Sequence, residues 1–287
     1  MSSGTVAAEA LIDSSPEFIW QIMTNLPDIK RWYFDLEEFR AEPGFRFTFY
    51  GGTEQRQYLH LCEITEVIPA QKLAYTWKYD GLPGETVVTF SVESADDKTI
   101  VKVSHTGIES FGTDNPDLQP ENFAAGWDYI LNESLKNYAE NNYIEISIDI
   151  NASVSSVWKV FTDRELSKVW LNEFMENSYI ECDWHVGSIM YWKDSDGAIK
   201  ARGLIVESQI ESVIRIAVFD NPDPRSEDAP GKYSEYYQFS QTENGCRFST
   251  FSGPVPRKKH PEYLAVWEKS FEMIKNKSEE IDKKLAH

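Results

Sequence analysis

Apolar positions in this chain recur with two periods, and the periods follow one another in the same order twice. Thr5 to Ile12 reads as a strand, after which Ser14, Ser15 and Pro16 supply a cap and a first-turn proline for a helix. Four runs then alternate apolar with polar residues: Phe45, Phe47, Phe49; Leu73, Tyr75, Trp77, Tyr79; Val88, Phe90, Val92; and Val101, Val103, His105. Period two over four runs predicts an antiparallel sheet with one buried face. Turn residues separate them at Gly51-Gly52, Asp80-Gly81, Pro83-Gly84 and Asp96-Asp97. The period then changes. Phe123, Trp127, Ile130, Leu131, Ser134 and Tyr138 share one face of a long helix, which ends at Asn141-Asn142 where a new strand begins.

The second half repeats the first. IDSSPEFIWQIMTNLPDIKRW, ending at Trp32, aligns without a gap with INASVSSVWKVFTDRELSKVW, ending at Trp170, so Trp20 meets Trp158 at an offset of 138. Gly44 then meets Gly187, Glu66 meets Glu207, KLAYTW at 72–77 meets VIRIAV at 213–218, and HTG ending at Gly107 meets FSG ending at Gly253. The kept order and slowly drifting offset are those of a duplication with small loop insertions. The expected fold class is α+β. It has two tandem domains, 1–140 and 141–287, each a curved antiparallel sheet wrapped around a long C-terminal helix. Trp20 and Trp158 are expected at equivalent buried sites.

Charge narrows the partners. The chain carries 47 acidic and 28 basic residues, a net charge of −19. Residues 1–140 hold 23 acids and 10 bases (−13), the rest 24 and 18 (−6). Such a surface repels phosphate backbones and anionic lipid heads, so no nucleic acid and no membrane partner is expected. Three scattered cysteines imply no disulfide framework. MSSGTVAAEA has neither the basic nor the apolar region of a secretory signal, so a reducing cytoplasm is the expected location.

The order of elements resembles the START-like helix-grip superfamily, which includes the birch pollen allergen and the SRPBCC domains. The motifs I-D-S-S-P-E-F-I-W, the Trp of K-R-W, P-G-F-R-F, E-I-T-E-V-I-P-A-Q-K-L-A-Y-T-W, S-H-T-G and Gly126-Trp127 together are similar to one family within it. That is the domain named for homologues of the activator of the heat-shock protein 90 ATPase. The resemblance implies binding of a small, largely apolar ligand between sheet and C-terminal helix. It also leaves two alternatives: a chaperone-interacting module, and an enzyme of the cyclase or hydrolase type.

Trp32, Phe45, Phe47, Tyr75, Trp77, Phe90, His105, Phe123 and Trp127 are the candidate ligand-binding residues. His105, on the inward parity of its strand, reads either as a polar anchor for a ligand or as a structural histidine bonded within the core. The rings either line a cavity or fill the space. The cavity is expected mainly in the first domain, because Phe251 stands at the aligned place of His105. Gly126 is expected to let the helix approach the sheet. No catalytic, Walker-type or dinucleotide-binding motif is present, and no cofactor or metal is expected. Cys182 with His185 lacks further ligands, and Asp194 to Gly197 reads as a hairpin turn rather than a calcium loop.

Overall fold

The computed structural model describes residues 4–52 and 56–285. Two compact units divide the chain between Glu140 and Asn141. In the first, strand β1 (Thr5–Ile12) leads to helices α1 (Pro16–Thr24) and α2 (Leu26–Trp32). Ser15 caps α1, its hydroxyl accepting from the Phe18 amide at 3.3 Å. Strands β2 (Arg46–Gly52), β3 (Gln57–Ile68), β4 (Lys72–Tyr79), β5 (Thr86–Ala95) and β6 (Lys98–Thr106) follow. They form one antiparallel sheet in the order β1-β6-β5-β4-β3-β2. A helical run closes the unit: α3 (Pro120–Asp128), a π-helical stretch (Tyr129–Leu135) and α4 (Lys136–Glu140). Trp127, Leu131, Leu135 and Ala139 bury its apolar stripe against the inward residues of the sheet.

The sequence pattern passes over β3. Its inward residues His60, Cys62 and Ile64 are buried, but Leu59 and Leu61 flank His60 on the other face, half-buried. Apolar residues on both parities hide the period of two.

The second unit repeats the plan. Strand β7 (Asn141–Ile150) precedes α5 (Val154–Thr162) and α6 (Lys168–Leu171), and the Ser153 hydroxyl caps α5 by accepting from the Ser156 amide. Strands β8 (Tyr179–Glu181), β9 (Ile189–Lys193), β10 (Ile199–Gln209), β11 (Val213–Val218), β12 (Ser234–Thr242) and β13 (Gly245–Pro256) pair in the order β7-β13-β12-β11-β10-β9-β8. Helix α7 (His260–Leu285) lies against this core through Trp267, Phe271 and Ile274.

The repeat reaches backbone detail. Gly44 and Gly187 both take positive φ, 87° and 89°, where glycine carries no steric cost. Each donates its amide to the strand that bends beside it, Gly44 to the Ile64 carbonyl at 2.7 Å and Gly187 to that of Ile205 at 2.8 Å. The ladder then slips by one residue between Ile64 and Glu66 and between Ile205 and Glu207. The aligned Glu66 and Glu207 thus follow the same bulge, a device that bends a strand and raises its twist.

Two expectations are corrected. Trp20 and Trp158 are half-buried, and it is Ile19 and Val157, one residue earlier, that are fully buried. The last strands are also in a different register from the motif alignment. Val6 pairs with His105 and Ile12 with Thr99, while Ile144 pairs with Ser252 and Ile150 with Cys246. His105 therefore matches Ser252, and Phe251 points outward, stacked on Tyr143 at 4.7 Å. The Cys246, Phe248, Thr250, Ser252 parity is buried throughout. The aligned glycines mislead because β13 slips against β7 between Ser252 and Val255, just where FSG ends.

Candidate functional site: an aromatic cavity in the first unit

The inward parity of β2 runs Phe47, Phe49, Gly51. At Gly51 the side chains stop, and a Cβ there would sit 3.0 Å from His60 and 3.1 Å from Phe34. The glycine lets the His60 and Phe34 rings crowd against β2, and these rings border a cavity of about 530 Å³. The ends of β2, β3 and β4 supply Gly51, Tyr58, His60, Trp77 and Tyr79. Trp32, Tyr33 and Phe34 come from the end of α2 and the residues after it, and Phe123, Gly126 and Trp127 from α3. Exposed Gly126 and Tyr129 mark its mouth. Gly126 does not bring helix and sheet together, as the sequence suggested, because a Cβ there would meet nothing within 4 Å.

The walls hold one another by edge and face. Trp77 meets Trp127 at 5.7 Å and 65°, and Tyr33 meets Phe34 at 4.6 Å and 73°. The His60 imidazole lies flat on Phe49 at 4.3 Å, with Nδ1 3.3 Å from the Phe49 carbonyl oxygen. Burial lowers its pKa to about 4, so the ring is neutral at neutral pH. At the rim, the Asp117 carboxylate accepts from the Tyr58 hydroxyl and from Arg56, each at 2.8 Å. These bonds, the Tyr58 one foremost, lower its pKa and keep it ionised.

Of the residues expected from sequence, Trp32, Trp77, Phe123 and Trp127 line this cavity. Phe47, Tyr75 and Phe90 lie deeper. Together with Trp32 they close around a void of about 20 Å³, roughly the room for one water molecule. There the Tyr33 and Tyr75 hydroxyls meet at 2.8 Å, and burial drives both pKa values up. Phe45 is half-buried outside the cavity, under the Arg40 guanidinium at 4.7 Å.

His105 is fully buried behind the wall. Its Nδ1 accepts the Trp127 indole N–H at 3.1 Å, and its Nε2 lies 2.7 Å from the Thr86 hydroxyl oxygen. An indole nitrogen can only donate, so Nδ1 is the unprotonated nitrogen and Nε2–H donates to Thr86. The Thr86 hydroxyl donates onward to the Trp77 carbonyl at 3.1 Å. Both ring nitrogens are thereby used within the core. Of the two sequence readings of His105, the structure favours the internally bonded one. The polar imidazole in the cavity lining is His60, which the obscured period of β3 had hidden.

In the second unit, rings meet one another at the heart of the core. Phe161 stacks on Trp170 at 5.1 Å and Phe248 packs on Phe271 at 4.6 Å. The pair Val88 and His105 is replaced by Glu235 and Ser252. Buried Glu235 accepts from the Tyr237 hydroxyl at 2.7 Å and from Tyr233 at 3.3 Å, and burial raises its pKa to about 7. Among the described residues, no three His, Cys, Asp or Glu side chains gather as a metal-binding set, and no helix is long and apolar enough to cross a membrane.

Comparison with known proteins places the two halves together. The sequence pattern of the family described as "Activator of Hsp90 ATPase homolog 1-like protein" matches residues 13–140 and again 151–279. No curated protein matches the chain. Solved structures similar to it include MLL2253 from Mesorhizobium loti, 25% identical over 47% of this chain and 95% of that one, with a TM-score of 0.38. BH1534 from Bacillus halodurans is 22% identical over 47% and 96%, with a TM-score of 0.39. DynU16, from the dynemicin biosynthetic locus, is 14% identical over 97% and 99%, with a TM-score of 0.40.

Proposed function

Since the chain belongs, through both of its halves, to the family of Activator of Hsp90 ATPase homolog 1-like proteins, we propose that it binds a small, largely apolar molecule in the cavity of its first unit. The observation that carries this reading is the cavity of about 530 Å³ walled by Trp32, Tyr33, Trp77, Phe123 and Trp127. Small-molecule sites usually have roughly 300–1,000 Å³, apolar walls and a few polar groups that fix orientation. Here His60 inside and the Tyr58–Asp117 pair at the rim supply those groups.

The walls are tied down before any ligand arrives. Trp127 is held through His105 and Thr86 to the backbone of its neighbour Trp77, by bonds that run behind the cavity wall. Such preorganisation spares the ligand the entropy of ordering side chains. His105 acts in this account as a positioning residue, and it touches the ligand only through the rings it holds. The second unit, with its meeting rings and buried Glu235, contributes no binding step to this reading.

The test is titration of an environment-sensitive apolar dye into the full chain, with Gly51→Leu as the variant. A Cβ at Gly51 already presses on His60 and Phe34, so a leucine there must push these rings into the cavity, and the fold of the variant is checked by circular dichroism alongside the titration. Saturable binding by the native chain, weakened at least about tenfold by Gly51→Leu, supports the reading. Equal binding by both proteins at unchanged stability contradicts it.

A further inference from the structure

We propose that the occupant of this cavity is an organic cation, a small and largely apolar molecule that carries one positive charge, of the quaternary ammonium kind. This rests on the ligand-binding reading above and adds the class of ligand to it. The argument is the balance of ring faces and charge in the lining. Half of the lining residues are Trp, Tyr or Phe, while Leu118 and Ile130 are the aliphatic side chains among them. A wall meant only to exclude water could be built from Leu, Ile and Val. Aromatic rings add a negative quadrupolar face, which attracts a cation when the site is partly desolvated. The steep pairs, Trp77 with Trp127 and Tyr33 with Phe34, turn an edge of one ring to a face of the other, so the faces a cation would meet are those not already covered by a neighbouring edge.

The charges agree in sign. No Lys or Arg is among the lining residues, and the one carboxylate there is Asp117. Arg56 pairs with Asp117 from outside the lining, with its side chain 57% exposed. His60 is neutral, because burial outweighs its backbone hydrogen bonds at Phe49 and Tyr58. The surrounding domain carries 23 acids against 10 bases. An anion would find no Lys or Arg in the lining to pair with and would enter a domain of net negative charge, although Asp117 itself is already paired with Arg56.

The experiment compares three probes of similar size in the full chain by calorimetry. They are benzyltrimethylammonium, its neutral isostere neopentylbenzene, and the anion 4-tert-butylbenzoate. The expected result is that the cation binds about tenfold tighter than the neutral isostere, with the anion weakest. Phe34→Leu, which keeps apolar contact and removes a ring face, should weaken the cation about threefold and leave the neutral probe unchanged. Equal or tighter binding of the neutral probe, or equal losses of both in Phe34→Leu, overturns the cation while leaving the cavity reading intact. If no probe binds although the apolar dye does, the cation is likewise overturned. If the dye also fails, the ligand-binding reading falls with it.

Discussion

The Trp127 indole N–H donates to Nδ1 of His105 at 3.1 Å, and this one bond fixes both the tautomer of the imidazole and the place of the indole. The neutral histidine then carries its proton on Nε2, toward Thr86. Burial lowers the pKa of His105 to about 3. Nitrogen-15 NMR of the full chain should find His105 neutral at pH 7 in the Nε2–H form, and still neutral at pH 5. An Nδ1–H tautomer, or titration near 6.5, would contradict the bond.

Removing the imidazole should be costly. His105→Ala leaves the Trp127 N–H and the Thr86 hydroxyl without their partner, and unpaired buried groups cost about 1–3 kcal/mol each. Chemical denaturation should show a loss of about 2–4 kcal/mol in the first unit. A loss under about 0.5 kcal/mol would mean that water or another side chain takes over the bonds.

The two units should respond to pH in opposite directions. His60 and His105 have folded pKa values lowered to about 4 and about 3. Unfolding lets them take up protons, so the stability they confer is full above about pH 6.5 and is lost as the pH falls toward 3. Glu235 is the reverse case, raised to about 7 by burial. Its contribution is full below about pH 4.5 and is lost as the pH rises through 7, by up to about 3 kcal/mol. Hydrogen exchange at pH 5 and pH 8, corrected for intrinsic rate, should show β6 amides better protected at pH 8 and β12 amides better protected at pH 5. Parallel changes in both would refute the assignment.

Gly126 separates fold from site. It lies in α3 with open space beyond it, so Gly126→Leu should cost no packing and should gain about 0.8 kcal/mol of helix propensity. Its side chain would stand in the mouth of the cavity. The expected outcome is a melting temperature equal to or above that of the native chain, with slower dye association. A destabilised variant would show that helix and sheet do approach closely there.

Much of the fold was legible from the chain alone, because period two and period 3.6 alternate in one order and the order recurs. Legibility failed where apolar residues occupy both parities. Leu59 and Leu61 conceal β3, and with it His60, while Phe248 and Phe251 gave β13 no visible inward face until its pairing with β7 placed Ser252 opposite Ile144. Within the site, Trp32, Trp77, Phe123 and Trp127 could be picked out as inward rings. Whether an inward ring meets another ring or a hollow depends on distances across the sheet, and Phe47, Tyr75 and Phe90 have the same local signature as Trp77. His105 and His60 are equally inward. What tells them apart is whether Trp127 and Thr86 stand beside the ring, and no local pattern encodes that.

The proposed cavity puts three of the chain's 9 tryptophans, Trp32, Trp77 and Trp127, in its wall, and leaves Trp158, Trp170, Trp184, Trp192 and Trp267 in the other unit. Each indole N–H gives its own nitrogen-15 NMR signal in the full chain. Titration with the apolar dye should move the signals of Trp32, Trp77 and Trp127 along one saturable curve and leave those of the second unit in place. Saturable shifts concentrated on Trp170 and Trp267, or no saturable shift at any indole, would contradict a ligand site in the first unit.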